Sequence, residues 1–236
     1  MPAGCGGGEG SGGAGSGAST PTTTAATTAK SCLEGGEQAV SFPVVGPSAT
    51  GVVLGQGRTG VVLGHQAGSD LCEWLPQARR LATQDRQVLA FDFGPSADIG
   101  KDMVAAAAEL RRRGADRLVL VGSSMGGTAA IEAAAEITPP VAGVVGLSGP
   151  EEYQGEGADA ASAAPKLRVP VLFIVAEDDP PFDDTARALD KAVPSREKLV
   201  VLEGGGHGTS LLEFGDRATR VRAELDRFLA TTLDAG

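Results

Sequence analysis

The sequence predicts an α/β fold, a mostly parallel sheet of about eight strands with an antiparallel start and helices on both faces. Short apolar runs alternate with helix-length segments from about residue 60 onward, the pattern of strand–helix–strand units. Several runs, such as Val171-Leu172-Phe173-Ile174-Val175, are apolar throughout, which suits strands covered on both faces. One run breaks at Gly-x-Ser-x-Gly and restarts at once as an alanine-rich helix, in Leu118-Val119-Leu120-Val121-Gly122-Ser123-Ser124-Met125-Gly126-Gly127-Thr128-Ala129-Ala130. That is strand, sharp turn and helix, with a serine at the apex.

Residues 1–37 read as a disordered Gly/Ser/Thr-rich tail or linker and residues 38–236 as one folded unit. The first 30 residues carry almost no apolar side chains, so burial cannot offset their ordering entropy and disorder is expected. Strands are expected at 39–45 and 51–54, close enough to pair as a hairpin, and at 61–63. A helix over 71–83 leads to a strand at 87–93. A helix over 98–113, stopped by Gly114, leads to the strand ending at Val121. The helix over 125–136 ends before Pro139 and is followed by strands at 141–147 and 169–176. A helix over 183–192, a strand at 198–202 and a helix over 216–232 complete the chain. Segment 149–168 is rich in Gly, Ala and Glu and has no amphipathic pattern, so no sizeable lid is expected and the site should be open and shallow.

The formal net charge of −10 disfavours a nucleic-acid or anionic-membrane surface. The basic run Arg111-Arg112-Arg113 falls in the last turn of an expected helix, where cations complement the dipole. No apolar stretch approaches the length of a membrane span. Ala3-Gly4-Cys5 resembles the cleavage box of bacterial lipoproteins, in which the cysteine carries the lipid. Pro2 stands where leucine is usual, and no charged and apolar leader precedes it in this sequence. A trimmed signal with a membrane tether through lipidated Cys5 and a chance match both remain open. Cys32 lies just before the first strand and Cys72 near the start of the first helix. A disulfide between them would suit an exported or cell-surface protein and leave Cys5 over, whereas two unpaired thiols also fit the sequence. Export is favoured over a cytoplasmic location.

The chemistry is concentrated at the turn. In a nucleophile elbow the positions two before and two after the serine must be tiny so that strand and helix can pass closely, and Gly122 and Gly126 meet this. With 35 glycines in 236 residues about 0.3 chance matches to the pattern are expected, so the argument rests on the flanking strand and helix. Ser124 then stands at a helix N-terminus, where developing negative charge is favoured. A serine nucleophile needs a base, and only His65 and His207 are available. His207, in Gly204-Gly205-Gly206-His207-Gly208 after the last strand, is placed to reach the serine from the carboxyl edge of the sheet. The base needs a carboxylate behind it. Glu177, Asp178 and Asp179 follow the preceding strand, and Glu151 and Glu152 are a weaker alternative.

The elbow and the order Ser, Asp, His make residues 40–232 resemble the α/β-hydrolase superfamily. The resemblance points to Asp179 as the acid, three positions after Ala176, which stands where glycine is usual; Asp178 is the fallback. It also implies an oxyanion hole built from backbone N–H groups. One comes from Met125, and the other from the loop Leu63-Gly64-His65-Gln66-Ala67-Gly68. Family members usually have His-Gly-x there, so Ala67 aligns with the donor. Gln66 replaces the glycine and leaves the donor open between Gln66 and Ala67. His65 is then a structural histidine of the loop. Trp74, Phe93, Tyr153, Phe182 and Leu211 are candidate substrate-contacting wall residues, and each reads equally as a core residue. The function implied is a lidless, esterase-like serine hydrolase acting on a small-molecule acyl substrate through an acyl-enzyme, with no cofactor or metal. Peptidase, thioesterase, lactone hydrolase and acyltransferase use the same machinery, although lactone hydrolases of the dienelactone type carry a cysteine nucleophile. A non-catalytic binding domain on the same fold is the remaining reading.

Overall fold

The computed structural model describes residues 1, 30–44, 46–95, 98–153 and 157–233. The expected disorder over residues 2–29 and the fate of Cys5 lie outside the described residues. Residues 30–37, read as the end of the same tail, are instead ordered, because Cys32 is bonded to Cys72, Lys30 pairs with Asp70 and Asp92, and Glu37 pairs with Arg79. Apolar runs become strands and the segments between them helices. Strand β1 (Gln38–Phe42), β2 (Ala49–Leu54) and β3 (Thr59–Gly64) are followed by a 3-10 turn (Leu71–Trp74) and helix α1 (Leu75–Leu81). Next come β4 (Arg86–Asp92), α2 (Ile99–Arg112), β5 (Arg117–Ser123), α3 (Met125–Glu136) and β6 (Gly143–Leu147). A small hairpin of β7 (Glu152–Tyr153) and β8 (Ala158–Asp159) and a one-turn helix α4 (Ala160–Ala163) stand where a lid would be inserted. The chain ends with β9 (Val171–Ala176), α5 (Phe182–Ala192), β10 (Arg196–Leu202), a 3-10 turn (Gly208–Leu212) and α6 (Gly215–Leu233).

The main sheet has eight strands in the order β1-β2-β4-β3-β5-β6-β9-β10. β1 and β2 pair antiparallel, as do β2 and β4, and the remaining neighbours are parallel. In the register Leu63 lies opposite Val121 and Gly64 opposite Gly122, so β3 and β5 end together. Their carboxyl ends, with those of β9 and β10, form the edge at which ligands bind in such sheets. One core lies under α2, α3 and α5, where Met103, Ala106, Ala129, Ala130 and Ala133 have no exposed surface. The other lies under α1 and α6, around Trp74, Leu75, Phe228 and Leu229. The small side chains of α2 and α3 let those helices approach one another and the sheet closely.

Two departures from the sequence pattern bear on the site. The expected helix over 71–83 splits: Asp70 Oδ1 accepts from the Cys72 N–H at 2.8 Å and starts the 3-10 turn, and the α-helical part begins with Pro76 in its first turn. The loop after His207 is likewise ordered, as the turn Gly208–Leu212. Cys32 and Cys72 form a disulfide with Cα atoms 5.8 Å apart. The segment around it is bound down further by Lys30, paired with Asp70 at 3.0 Å and Asp92 at 2.8 Å, and by Arg79, which donates to the Cys32 carbonyl at 2.9 Å. The arginine run is spent internally: Arg112 and Arg113 bind Glu109 at 2.8 and 2.6 Å, and Arg111 donates to the Pro139 carbonyl.

Candidate active site

β5 delivers Ser124 in a strained conformation, φ 49° and ψ −116°, of the kind that costs about 1–3 kcal/mol and persists only where its surroundings hold it. Its N–H donates to the Leu147 carbonyl at 2.7 Å, and its carbonyl accepts from Gly127 at 2.8 Å. A Cβ on Gly122 would overlap the Gly126 carbonyl, and one on Gly126 would overlap the Gly64 carbonyl. Both glycines are therefore required for the close passage of β3, β5 and α3. Met125 is the first residue of α3, a position whose backbone N–H has no acceptor within the helix.

His207 leaves the edge of β10 and is half-buried. Its Nδ1 lies 2.9 and 3.1 Å from the two carboxylate oxygens of Asp179, itself 9% exposed. A carboxylate only accepts, so Nδ1 carries the proton and Nε2 is the basic nitrogen. The Phe182 ring packs on the imidazole at 4.4 Å between centroids. The loop closes on itself, Ser210 Oγ accepting from the His207 N–H at 3.0 Å, and Arg217 braces it through the Gly205 carbonyl. Asp178 points to solvent and meets the loop through its backbone, N–H to the Gly204 carbonyl at 3.2 Å. Glu151 and Glu152 are exposed at the β7–β8 hairpin.

The loop after β3 is held in shape by the 3-10 turn behind it. The Trp74 indole N–H donates to the Gly64 carbonyl at 2.9 Å, and Glu73 Oε1 accepts from the Gln66 N–H at 2.9 Å. That second bond corrects one expectation. With its N–H already committed to Glu73, Gln66 has no backbone donor to offer an oxyanion, and Ala67, which is exposed, is the remaining candidate. His65 is satisfied on both nitrogens: Nδ1 donates to the Gln66 carbonyl at 2.8 Å, and Nε2 accepts from the Phe93 N–H at 3.3 Å. Burial holds its pKa below the usual imidazole value. It is a neutral, structural histidine.

Of the expected wall residues, Trp74 and Leu211 are corrected to core, each 0% exposed. A large apolar side chain reads alike for a pocket wall and a core, and here the core took them. Phe93 is part-exposed beside His65, Phe182 lies on His207, and Tyr153 packs partly buried at the hairpin. Glu73 was not legible as a site residue, because an acidic residue three positions after Asp70 reads as an ordinary helix start. Among the described residues no group of His, Cys, Asp or Glu is arranged to hold a metal ion.

The sequence profile of the dienelactone hydrolase family matches residues 77–209, more than half of the chain and the stretch containing Ser124, Asp179 and His207. No curated protein sequence matches significantly. A dienelactone hydrolase from Anabaena variabilis superposes with a TM-score of 0.68 at 23% identity, over 84% of this chain and 98% of that one. The esterase domain of a Rhodothermus marinus protein gives 0.66 at 21% identity, over 83% and 98%. An esterase from Rhodococcus sp. gives 0.64 at 17% identity, over 83% and 99%. At these identities the structural likeness speaks for the shared fold.

Proposed function

Because the chain belongs to the dienelactone hydrolase family, within the α/β-hydrolase superfamily, we propose that it hydrolyses carboxylic esters, open-chain or cyclic, with Ser124, His207 and Asp179 acting as a triad. The observation that carries this reading is the Asp179 carboxylate on Nδ1 of His207, at the same sheet edge as the strained Ser124. Asp179 fixes the tautomer that makes His207 Nε2 a base. Nε2 takes the Ser124 proton as Oγ attacks the ester carbonyl, and the backbone N–H groups of Met125 and Ala67 hold the oxyanion. Each such donor is worth about 10²–10³ in rate. Collapse releases the alcohol, which leaves with the proton from His207, and an acyl-enzyme remains. Water, deprotonated by His207, clears the acyl group as the acid and returns the proton to Ser124. Serine, unlike cysteine, depends on this base at neutral pH, so the pair Asp179–His207 is indispensable rather than auxiliary.

The short β6–β9 connection supports a preference for small acyl groups, since among the described residues no amphipathic cover stands over the site to bury a long chain. Hydrolysis of p-nitrophenyl acetate and butyrate by wild type, Ser124→Ala and His207→Ala tests the reading. Each variant should lose about 10³-fold or more in kcat while staying folded. Near-full turnover in His207→Ala would contradict it, because His65 has both nitrogens engaged.

A further inference from the structure

We propose that Gln66 and Ser123 are positioning residues, a hydrogen-bonded tie beneath the nucleophile that joins the oxyanion loop to the histidine loop. The inference rests on the ester-hydrolase reading and deepens it. Ser123 is the last residue of β5, next to Ser124, and its side chain has no exposed surface, 0%. Its hydroxyl accepts from the Thr209 N–H at 3.1 Å and donates to Gln66 Oε1 at 3.1 Å. The direction follows from chemistry: with Thr209 donating, the hydroxyl's own proton needs an acceptor, and the Gln66 carbonyl supplies it. One buried hydroxyl thus connects the ends of β3 and β5 with the chain two residues beyond His207.

The backbones at both ends of the tie are fixed. Gln66 is held by Glu73 at its N–H, and by His65 and the Ser69 N–H at its carbonyl, so its side chain hangs from a rigid support. Gly208, between His207 and Thr209, has φ +56°, and a Cβ there would overlap both Ser123 Oγ and Gln66 Oε1. The histidine loop therefore sits directly against the tie, and only glycine admits that approach. This accounts for glutamine at a position where the superfamily usually has glycine: the side chain fills and polarises the space under the loop. Neither residue reaches the reacting atoms. They act through His207, by fixing the distance and angle at which its imidazole meets Ser124.

The test uses the full chain with Ser123→Ala, Gln66→Met, the double variant and Gln66→Glu, which keeps the acceptor oxygen. With p-nitrophenyl butyrate each disrupting variant should lower kcat about 10- to 100-fold, with KM within about twofold of wild type. The double variant should be no slower than the slower single, since both remove the same connection, and Gln66→Glu should recover most of the loss seen in Gln66→Met. A second readout does not require turnover. The chain has two histidines, so the imidazole Nδ1–H signal of His207 is assignable by NMR, with His65 as internal control. In Ser123→Ala the His207 signal should broaden or vanish by faster exchange while that of His65 persists; Gln66→Met serves if Ser123→Ala does not fold. An unaltered His207 signal, or additive losses in the double variant, would overturn the tie. A changed signal in a protein whose wild type hydrolyses no ester would instead sustain the tie and overturn the esterase reading.

Discussion

Asp178 and Asp179 are chemically identical neighbours that the fold separates by environment. Asp179 is turned inward onto Nδ1 of His207, and Asp178 is exposed. Asp179→Asn should lower kcat for a short ester by about 10³–10⁴-fold, because an amide donor in that place selects the wrong imidazole tautomer. Asp178→Asn should remain within about twofold of wild type, and the reverse ranking would reassign the acid. Glu73 makes a prediction of a different kind. Burial pushes its carboxyl above the usual carboxylate range while it holds the Gln66 N–H. In the window above the ordinary carboxylate pKa the native state then binds more protons than the unfolded chain, so this group's contribution to stability falls as pH rises through it. Glu73→Gln keeps an acceptor oxygen and removes the titration. Its Tm relative to wild type should therefore shift in the variant's favour between about pH 4 and pH 7, and thermal melts showing a flat or opposite trend would refute the assignment. At this scale the sequence revealed the residues with distinctive chemistry, serine, histidine and the acidic run. It could not reveal that Gln66 spends its N–H on Glu73, because that bond depends on where the 3-10 turn lies in space.

The elbow is the element on which the site depends. Gly122→Ala places a methyl group inside the Gly126 carbonyl, two backbones that cannot part without separating β5 from α3. The variant should lose more than about 3 kcal/mol of stability, read as a shifted urea midpoint or loss of soluble protein. A folded, active Gly122→Ala would show that the passage is looser than described. Helix α3 was legible to the residue, because alanine-rich periodicity, the serine before it and Pro139 after it all agree. The fully apolar strands were equally plain. The 3-10 turns at 71–74 and 208–212 and the β7–β8 hairpin were not, since two- to five-residue elements leave no periodicity and are set by tertiary contacts.

On the scale of the whole molecule, a mostly parallel sheet brings groups from residues 65 to 207 to one edge, and the disulfide fastens the chain ahead of β1 to the turn that shapes the oxyanion loop. Cys32 and Cys72 are 40 residues apart. Loop-closure entropy gives the crosslink a stabilisation of about 4 kcal/mol, or on the order of 10 °C in Tm for a domain of this size. Cys32→Ser with Cys72→Ser should show that loss in a thermal melt, and an unchanged Tm would mean that Lys30 and Arg79 hold the segment without it. The fold class was readable because alternation and apolar strands are global signals. The pairing of Cys32 with Cys72 was one of two readings the sequence left open, because choosing between a disulfide and two free thiols needs their distance in space.

Every step of the proposed hydrolysis depends on an activated serine at position 124. Treating the folded wild-type protein with a fluorophosphonate and mapping the adduct by peptide mass spectrometry tests that directly. A single adduct on the peptide bearing Ser124, absent from Ser124→Ala and strongly slowed in His207→Ala, is the predicted result. No adduct on folded protein, or an adduct on another residue, would contradict it.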